Sequence, residues 1–448
     1  MTVETYRIAE ALFWLFAAGV AFLPPRWALL SLILVANVDV MAPEFASAST
    51  MGWENAAKTV VLPALLLLRL NRFRLPRIQW TFPARGWAAL VLYAAFSALW
   101  SPFKLSALKM VAYLACYFVL YLTLSLAWRK GLIDDRVILL GLWGSLALAC
   151  VTTYALDGPF TTPEVRFTSF VGPQAFAFYL LCTLSLLLFS PKGWRFRRVS
   201  VAACLLSITL TGSRFTFLGV GLLLFVAWLR TALGARRALR VWPLLKASLV
   251  AGTCMLLLGL AVVRAMPRNR LNELLDVGSS DTQTLQDIGT FGWRLMVYDD
   301  AASELSRRSL PGLIFGSGTS SGAGILLDYF GDYEEQTIDA NRALHDEFIR
   351  TMYEWGFVGL FLGLILLGCL ASGAWRLAIL DRFVPGFAVL GIVPGALMGL
   401  LVENVLAAPS TPLGIGFLLV LTYGFSANHR LARTGLPQVR VNEDPVHL

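Results

Sequence analysis

Three residues are of the types that handle phosphate groups and protons: Arg214, Arg294 and His345. Arg214 ends Thr211-Gly212-Ser213-Arg214, a polar break between two apolar runs. Arg294 follows Thr290-Phe291-Gly292-Trp293 inside a long polar stretch. His345 lies in Leu344-His345-Asp346-Glu347-Phe348-Ile349-Arg350, just ahead of another apolar run; the other histidines, His429 and His447, are in the C-terminal tail. A guanidinium keeps its charge and grips phosphate oxygens through a planar fork. An imidazole exchanges its proton near neutral pH and suits a general base. Arg166, in Pro163-Glu164-Val165-Arg166-Phe167, is a further cation beside the start of an apolar run. Together these types point to chemistry on a phosphate-bearing substrate at one face of a membrane.

Each residue also has a plainer reading. An arginine at a helix end snorkels to lipid phosphates. Asp346 and Glu347 either orient the His345 ring or are first-turn acids favoured by the helix dipole. That dipole and the nearby arginines disfavour imidazolium, so His345 is expected to be neutral. Ser213 is a supporting candidate beside Arg214. Glu403, at the outer end of an apolar run, is either functional or a helix–helix hydrogen-bonding group. The acids Asp299, Asp300, Asp328, Asp332, Glu334 and Glu335 show no tight calcium or magnesium pattern, so a solvated acidic loop and no metal are expected. Gly316-Ser317-Gly318 lacks the remaining positions of a phosphate loop. No cofactor is expected.

The elements that must position these residues are set by composition. Of 448 residues, 57% are hydrophobic and 15% charged, with a mean hydropathy of +0.68. Soluble domains run closer to 25% charged. Long apolar stretches joined by short basic loops predict an all-α, polytopic transmembrane bundle of about 12–14 spans. The runs lie near 8–23, 27–42, 57–71, 86–100, 107–127, 136–156, 170–190, 199–213, 214–230, 242–264, 347–372, 383–404 and 411–427. The six cysteines all fall within them, so no disulfide is expected. No cleavable leader is read at residues 8–23.

Charge orients the bundle. Basic clusters at 69–85, 129–136, 192–198, 230–246, 376–382 and 430–433 occupy every second loop and are expected to be cytoplasmic. The net charge of +9 is thus accounted for by topology, and no nucleic acid is expected. The alternate loops, at 43–56, 101–106, 157–169, 211–214, 265–346 and 405–410, then face the periplasm. The 265–346 loop is acidic, with 12 Asp and Glu against 6 Arg between 267 and 344. Helices are predicted at 293–309 and from Asp339, a plausible N-cap, to Trp355, with a glycine-rich turn region between them. The expected division is 1–264 N-terminal spans, 265–346 loop domain, 347–428 C-terminal spans and 429–448 cytoplasmic tail.

The ordered set Thr211-Gly212-Ser213-Arg214, Phe291-Gly292-Trp293-Arg294, Pro311-Gly312-Leu313-Ile314-Phe315-Gly316-Ser317-Gly318 and His345-Asp346-Glu347-Phe348-Ile349-Arg350, leading through Glu354-Trp355-Gly356, resembles the O-antigen ligase and O-antigen polymerase superfamily. The likeness covers about 165 to 360. It implies a multi-pass protein of the bacterial inner membrane that moves a glycan from undecaprenyl pyrophosphate to an acceptor hydroxyl in the periplasm, the acceptor being another glycan or lipid A-core. It further implies that Arg214 and Arg294 hold the pyrophosphate, with Arg166 assisting, and that His345 activates the acceptor. Asp346 stands where Asn or Ser is common in that family, and Gly172-Pro173-Gln174 where a Pro-Asn pair is frequent. Membrane lipids and envelope polysaccharide export components are the other expected partners. A transporter or flippase of lipid-linked saccharide is the rival reading; it calls for midplane charges and paired repeats, which this sequence does not display. A structural subunit of an envelope export complex is a third.

Overall fold

The computed structural model describes Leu15 and residues 19–20, 22–37, 61–72, 82–156, 167–168, 173–190, 196–234, 290–322, 324–325, 347–381, 383–402 and 412–434. Within these the chain is helical, with no strand. The helices are α1 (Pro25–Val35), α2 (Leu62–Leu70), α3 (Phe82–Ser97), α4 (Lys104–Lys130), α5 (Asp135–Cys150), α6 (Pro173–Phe189), α7 (Arg197–Thr211), α8 (Arg214–Gly234), α9 (Thr290–Ser306), α10 (Leu310–Phe315), α11 (Glu347–Trp375), α12 (Val384–Val402) and α13 (Pro412–Thr434). Apart from α9 and α10, which lie in the 265–346 loop, they coincide in position with the apolar runs of the sequence; the runs near 8–23 and 242–264 lie largely or wholly outside the described residues. Lys104–Lys130, Asp135–Tyr154 and Glu347–Leu380 are long and apolar enough to cross a membrane, and several shorter apolar helices accompany them. Large apolar side chains such as Leu92, Leu108 and Phe361 are exposed on the outside of the bundle, as lipid-facing surfaces require.

Local chemistry sets the helix ends. The Asp134 carboxylate accepts from Val137 N at 3.1 Å and caps α5, while Arg26 Nη2 holds it at 2.5 and 2.7 Å. Helix α4 ends in Arg129 and Lys130, favourable charges for a C-terminus, and stops at the left-handed Gly131.

Close helix approaches show which ends lie together. A side chain at Gly391 or Gly395 of α12 would meet Leu223 or Leu181 and Gly219, so α12 runs antiparallel to α8. Gly386, near the start of α12, abuts Leu377 and Ala378 beyond the end of α11, so these two are also antiparallel. Helices α8 and α11 therefore begin at the same end of the bundle. That end also holds the α7–α8 turn, Phe167, whose N–H donates to Leu210 O at 3.3 Å, and the α3–α4 turn at Ser101. The described parts of the 101–106, 157–169, 211–214 and 265–346 loops, which charge alternation assigns to one face, are thus neighbours. At the opposite end, the Trp128 and Tyr423 rings meet at 4.9 Å, and the Tyr423 hydroxyl donates to Phe189 O at 3.1 Å.

Helix α11 is broken at Gly356, with φ 61 and ψ −160. The break frees carbonyls of the preceding turn, and other parts of the chain bond them. Ser317 N donates to Tyr353 O at 3.1 Å, Gly318 N to Glu354 O at 2.8 Å and the Tyr93 hydroxyl to Trp355 O at 3.1 Å. The segment that supplies the first two is itself stitched to α3. The Thr319 hydroxyl donates to Ala94 O at 2.8 Å, lies 2.6 Å from the Ser97 hydroxyl and accepts from Trp355 Nε1 at 2.9 Å. Trp100 Nε1 donates to Gly316 O at 3.2 Å.

Two measurements test the arrangement. A Cβ at Gly356 would lie 2.4 Å from Ile314 O, and one at Gly318 would lie 2.6 Å from the Ser101 backbone. Both glycines have positive φ. Gly356→Ala and Gly318→Ala should each cost about 2 kcal/mol or more and lower the thermal transition of the purified protein by several degrees. Gly363→Ala, in open space on α11, should be neutral. For orientation, a cysteine at exposed Ala302 should react with an impermeant maleimide in cells whose outer membrane has been permeabilised, and one at exposed Asp381 should not; the opposite labelling would reverse the topology.

Candidate active site

The turn carrying Arg214 is a buried polar hairpin. Thr211 is a fully buried residue whose hydroxyl donates to Ile208 O at 2.7 Å, and Gly212 leaves α7 with φ 65. Ser213 N donates to the Thr211 hydroxyl at 3.4 Å, and the Ser213 and Thr216 hydroxyls lie 2.9 Å apart. The polar groups of the turn thus satisfy one another locally, which fixes where α8 starts. Arg214 is its first residue. A helix N-terminus presents unpaired N–H groups and a positive dipole end, both of which attract an anion. The expected supporting residue Ser213 is therefore a turn-builder. Phe167 packs on Phe176 at 5.9 Å between ring centroids and hydrogen-bonds the last turn of α7. Arg166 precedes it in the chain.

Arg294 is on α9, whose Val297, Ala301 and Leu305 form one stripe packed with Ile349 and Tyr353 of α11. Arg308, just beyond α9, clasps the same turn: Nη1 donates to Tyr353 O at 2.7 Å and the guanidinium lies 3.8 Å from the Tyr353 ring centroid. Hence the helix bearing Arg294 is docked on the first turns of α11. The side chains of Arg214 and Arg294 lie outside the described residues, as do Arg166, His345, Asp346 and Glu403 altogether.

What the sequence reading missed is a line of buried charge immediately after His345. Glu347, Arg350 and Glu354 fall at i, i+3 and i+7 on one face of α11, exposed by only 3%, 1% and 1%. Arg350 Nη2 pairs with Glu347 Oε2 and acts electrostatically on Glu354. Glu354 Oε2 accepts from Ser320 N at 2.9 Å, which ties the charged line to the 316–321 segment. The acid–base–acid spacing was a usable signal, since residues three and four apart on a helix are neighbours. It reads as ordinary surface pairing until the tertiary structure buries it.

Beside this line opens a shallow apolar cleft. It follows α11 from Glu347 to Leu370 and is walled by Trp87 of α3, Tyr117 of α4, Phe178 of α6, Val393 of α12 and Phe417 of α13. Glu347 and Thr351, two and six residues beyond His345 in the chain, are among its lining residues. A long apolar trough ending at charged groups accommodates an amphiphile whose tail lies among helices and whose head group sits at the bundle end.

Arg350 should be the most sensitive residue here. Removing one partner of a buried ion pair typically costs 3–5 kcal/mol, because it leaves the other charge uncompensated. Arg350→Met should therefore sharply reduce folded yield and thermal stability, and adding Glu347→Gln should restore part of both. Equal stability of Arg350→Met and wild type would remove the electrostatic account of this helix start.

No curated protein matches the chain. Residues 199–364, which run from the α7–α8 hairpin through α9 and α10 into α11, match the family model described as O-Antigen ligase. The match supports the O-antigen ligase and polymerase superfamily of glycosyltransferase-type membrane enzymes, and the long apolar helices around it agree with a membrane protein.

Proposed function

We propose that this protein transfers a glycan from undecaprenyl pyrophosphate to an acceptor hydroxyl at the periplasmic face of the bacterial inner membrane, without metal or cofactor. The observation that carries the reading is the apolar cleft along α11, lined by Glu347 and Thr351, two and six residues after His345 in the chain. The polyprenyl tail lies in this cleft, and the pyrophosphate sits at the bundle end where α8 and α11 begin. Arg214 and Arg294, assisted by Arg166, hold the pyrophosphate. Its negative charge grows as the glycosidic bond breaks, and guanidinium groups already in place stabilise that charge without reorganising. His345, as neutral imidazole, takes the proton of the attacking acceptor hydroxyl. The loop domain covers the sugar and excludes water, which would otherwise hydrolyse the donor.

The family match spans Arg214, Arg294 and His345, in agreement with these roles. A glycan acceptor would make the enzyme a polymerase, and a lipid A-core acceptor would make it a ligase; incubation of purified enzyme with lipid-linked donor and each acceptor distinguishes the two.

Arg214→Lys and Arg294→Lys should each lose most transfer activity while folding normally, since a point charge does not replace a fork. His345→Ala should slow transfer by roughly 10²–10⁴-fold with donor still bound. Wild-type activity should fall on acidification as the imidazole protonates, near or below about pH 6.5. The cleft is tested separately. Gly363 lines it with open space around its Cα, so Gly363→Phe should raise KM for the full-length polyprenyl donor and leave kcat with a short-tailed donor unchanged. Unchanged KM would place the tail elsewhere.

A further inference from the structure

At the end of the bundle remote from this site, two arginines from different helices converge on one carbonyl. Helix α6 ends at Phe189. Arg197, the first residue of α7, donates from Nη2 to Leu188 O at 2.7 Å. Arg230, near the end of α8, reaches the same oxygen from Nη1 at 3.5 Å. Its guanidinium also lies 6.0 Å from the Phe189 ring centroid. The neighbouring carbonyls have other donors: the Ser190 hydroxyl bonds Leu187 O at 3.1 Å, and the Tyr423 hydroxyl bonds Phe189 O at 3.1 Å. One turn along α7 from Arg197, Ser200 is fully buried, and its hydroxyl has no partner among the described residues.

The charges in this cluster do not balance. A helix C-terminus offers roughly half a negative charge, against two full positive charges. The two guanidinium groups repel each other, and the Tyr423 hydroxyl is the other group acting on both. Among the described residues no carboxylate pairs with either. Both arginines are partly withdrawn from water, where like charges repel more strongly than in solvent. Capping of α6 accounts for one guanidinium and leaves the second without an anionic counterpart.

We propose that Arg197 and Arg230 form a binding site for the phosphate of an anionic phospholipid headgroup in the leaflet opposite the candidate active site. The shared chemistry is a phosphate oxyanion, which a pair of guanidinium forks fits. The surroundings favour a lipid as its source. Phe196 and Val199 flank Arg197, and Phe225 precedes Arg230 on α8; all three are exposed apolar side chains suited to contact with acyl chains. Basic pockets between helices on the cytoplasmic side are suited to such headgroups.

The experiment uses the purified, delipidated full chain. Retained phosphatidylglycerol and phosphatidylcholine are counted by native mass spectrometry, and thermal stabilisation by each lipid and by inorganic phosphate is measured in parallel. Wild type should prefer phosphatidylglycerol. Arg230→Gln is the informative variant, because its bond to Leu188 O is long and its loss leaves the α6 cap in place. It should weaken phosphatidylglycerol binding on the order of fivefold. Arg198→Gln changes the net charge equally at an exposed neighbouring position and should leave binding close to wild type. Equal losses in the two variants would mean diffuse attraction to a basic surface and would overturn the site. So would equal retention of the two lipids, or unchanged phosphatidylglycerol retention in Arg230→Gln, which would leave the arginines as helix caps only. Equal stabilisation by inorganic phosphate alone would overturn the assignment to a lipid.

Discussion

A helix broken inside an apolar bundle leaves carbonyl oxygens without their helical donors, and an unpaired carbonyl away from water is costly. Helix α11 breaks in this way at Gly356, and the rest of the candidate site depends on how the freed groups are bonded. Tyr93 of α3 takes one carbonyl, and the backbone of Ser317 and Gly318 takes two more. The segment after α10 is therefore held to α11 by the same bonds that make the break tolerable. Because Thr319 and Trp100 tie that segment and its neighbour to α3, the described part of the loop region is fastened to the membrane helices at several points.

This fastening matters for chemistry because the turns of α11 before the break carry the buried line Glu347, Arg350 and Glu354. Buried charge is unfavourable unless paired and hydrogen-bonded. Here Arg350 compensates the acids, and the Ser320 N–H supports Glu354. A network of this kind tolerates little displacement, since moving one member exposes the others to an unfavourable apolar setting. It gives the helix start a defined position, and α9 is packed on the same turns. The two segments that matter most to the proposed chemistry are thus referenced to one rigid element.

The two ends of the bundle are chemically different. One gathers the α7–α8 hairpin, the start of α11 and the mouth of the cleft. The other gathers basic residues around helix C-termini, where Arg197 and Arg230 meet α6. In the proposed function a donor tail along α11 has its head group at the first end, and the second end faces the opposite leaflet. Both ends use one device, arginine beside a helix terminus, with opposite dipole signs. At the start of α8 the dipole has the sign that attracts an anion; at Arg197 and Arg230 it offsets part of their repulsion.

The sequence by itself determined the helical membrane class, the position of most helices, the polar break at Thr211–Arg214, the glycine-rich turn near Gly316 and the resemblance that the family match bears out. These are legible because apolar length and periodicity, glycine punctuation and ordered short motifs are local properties of the chain. Tertiary structure decided the rest. The spacing of Glu347, Arg350 and Glu354 was visible, but only packing of α3, α9 and the 316–321 segment around them makes the line buried. Trp100 is a partner of Gly316 because its donor meets a carbonyl more than two hundred residues away. The cleft likewise has walls from α3, α4, α6, α11, α12 and α13, and no stretch of sequence contains it. Burial and long-range pairing depend on which helices share an end, and that is a property of the assembled bundle.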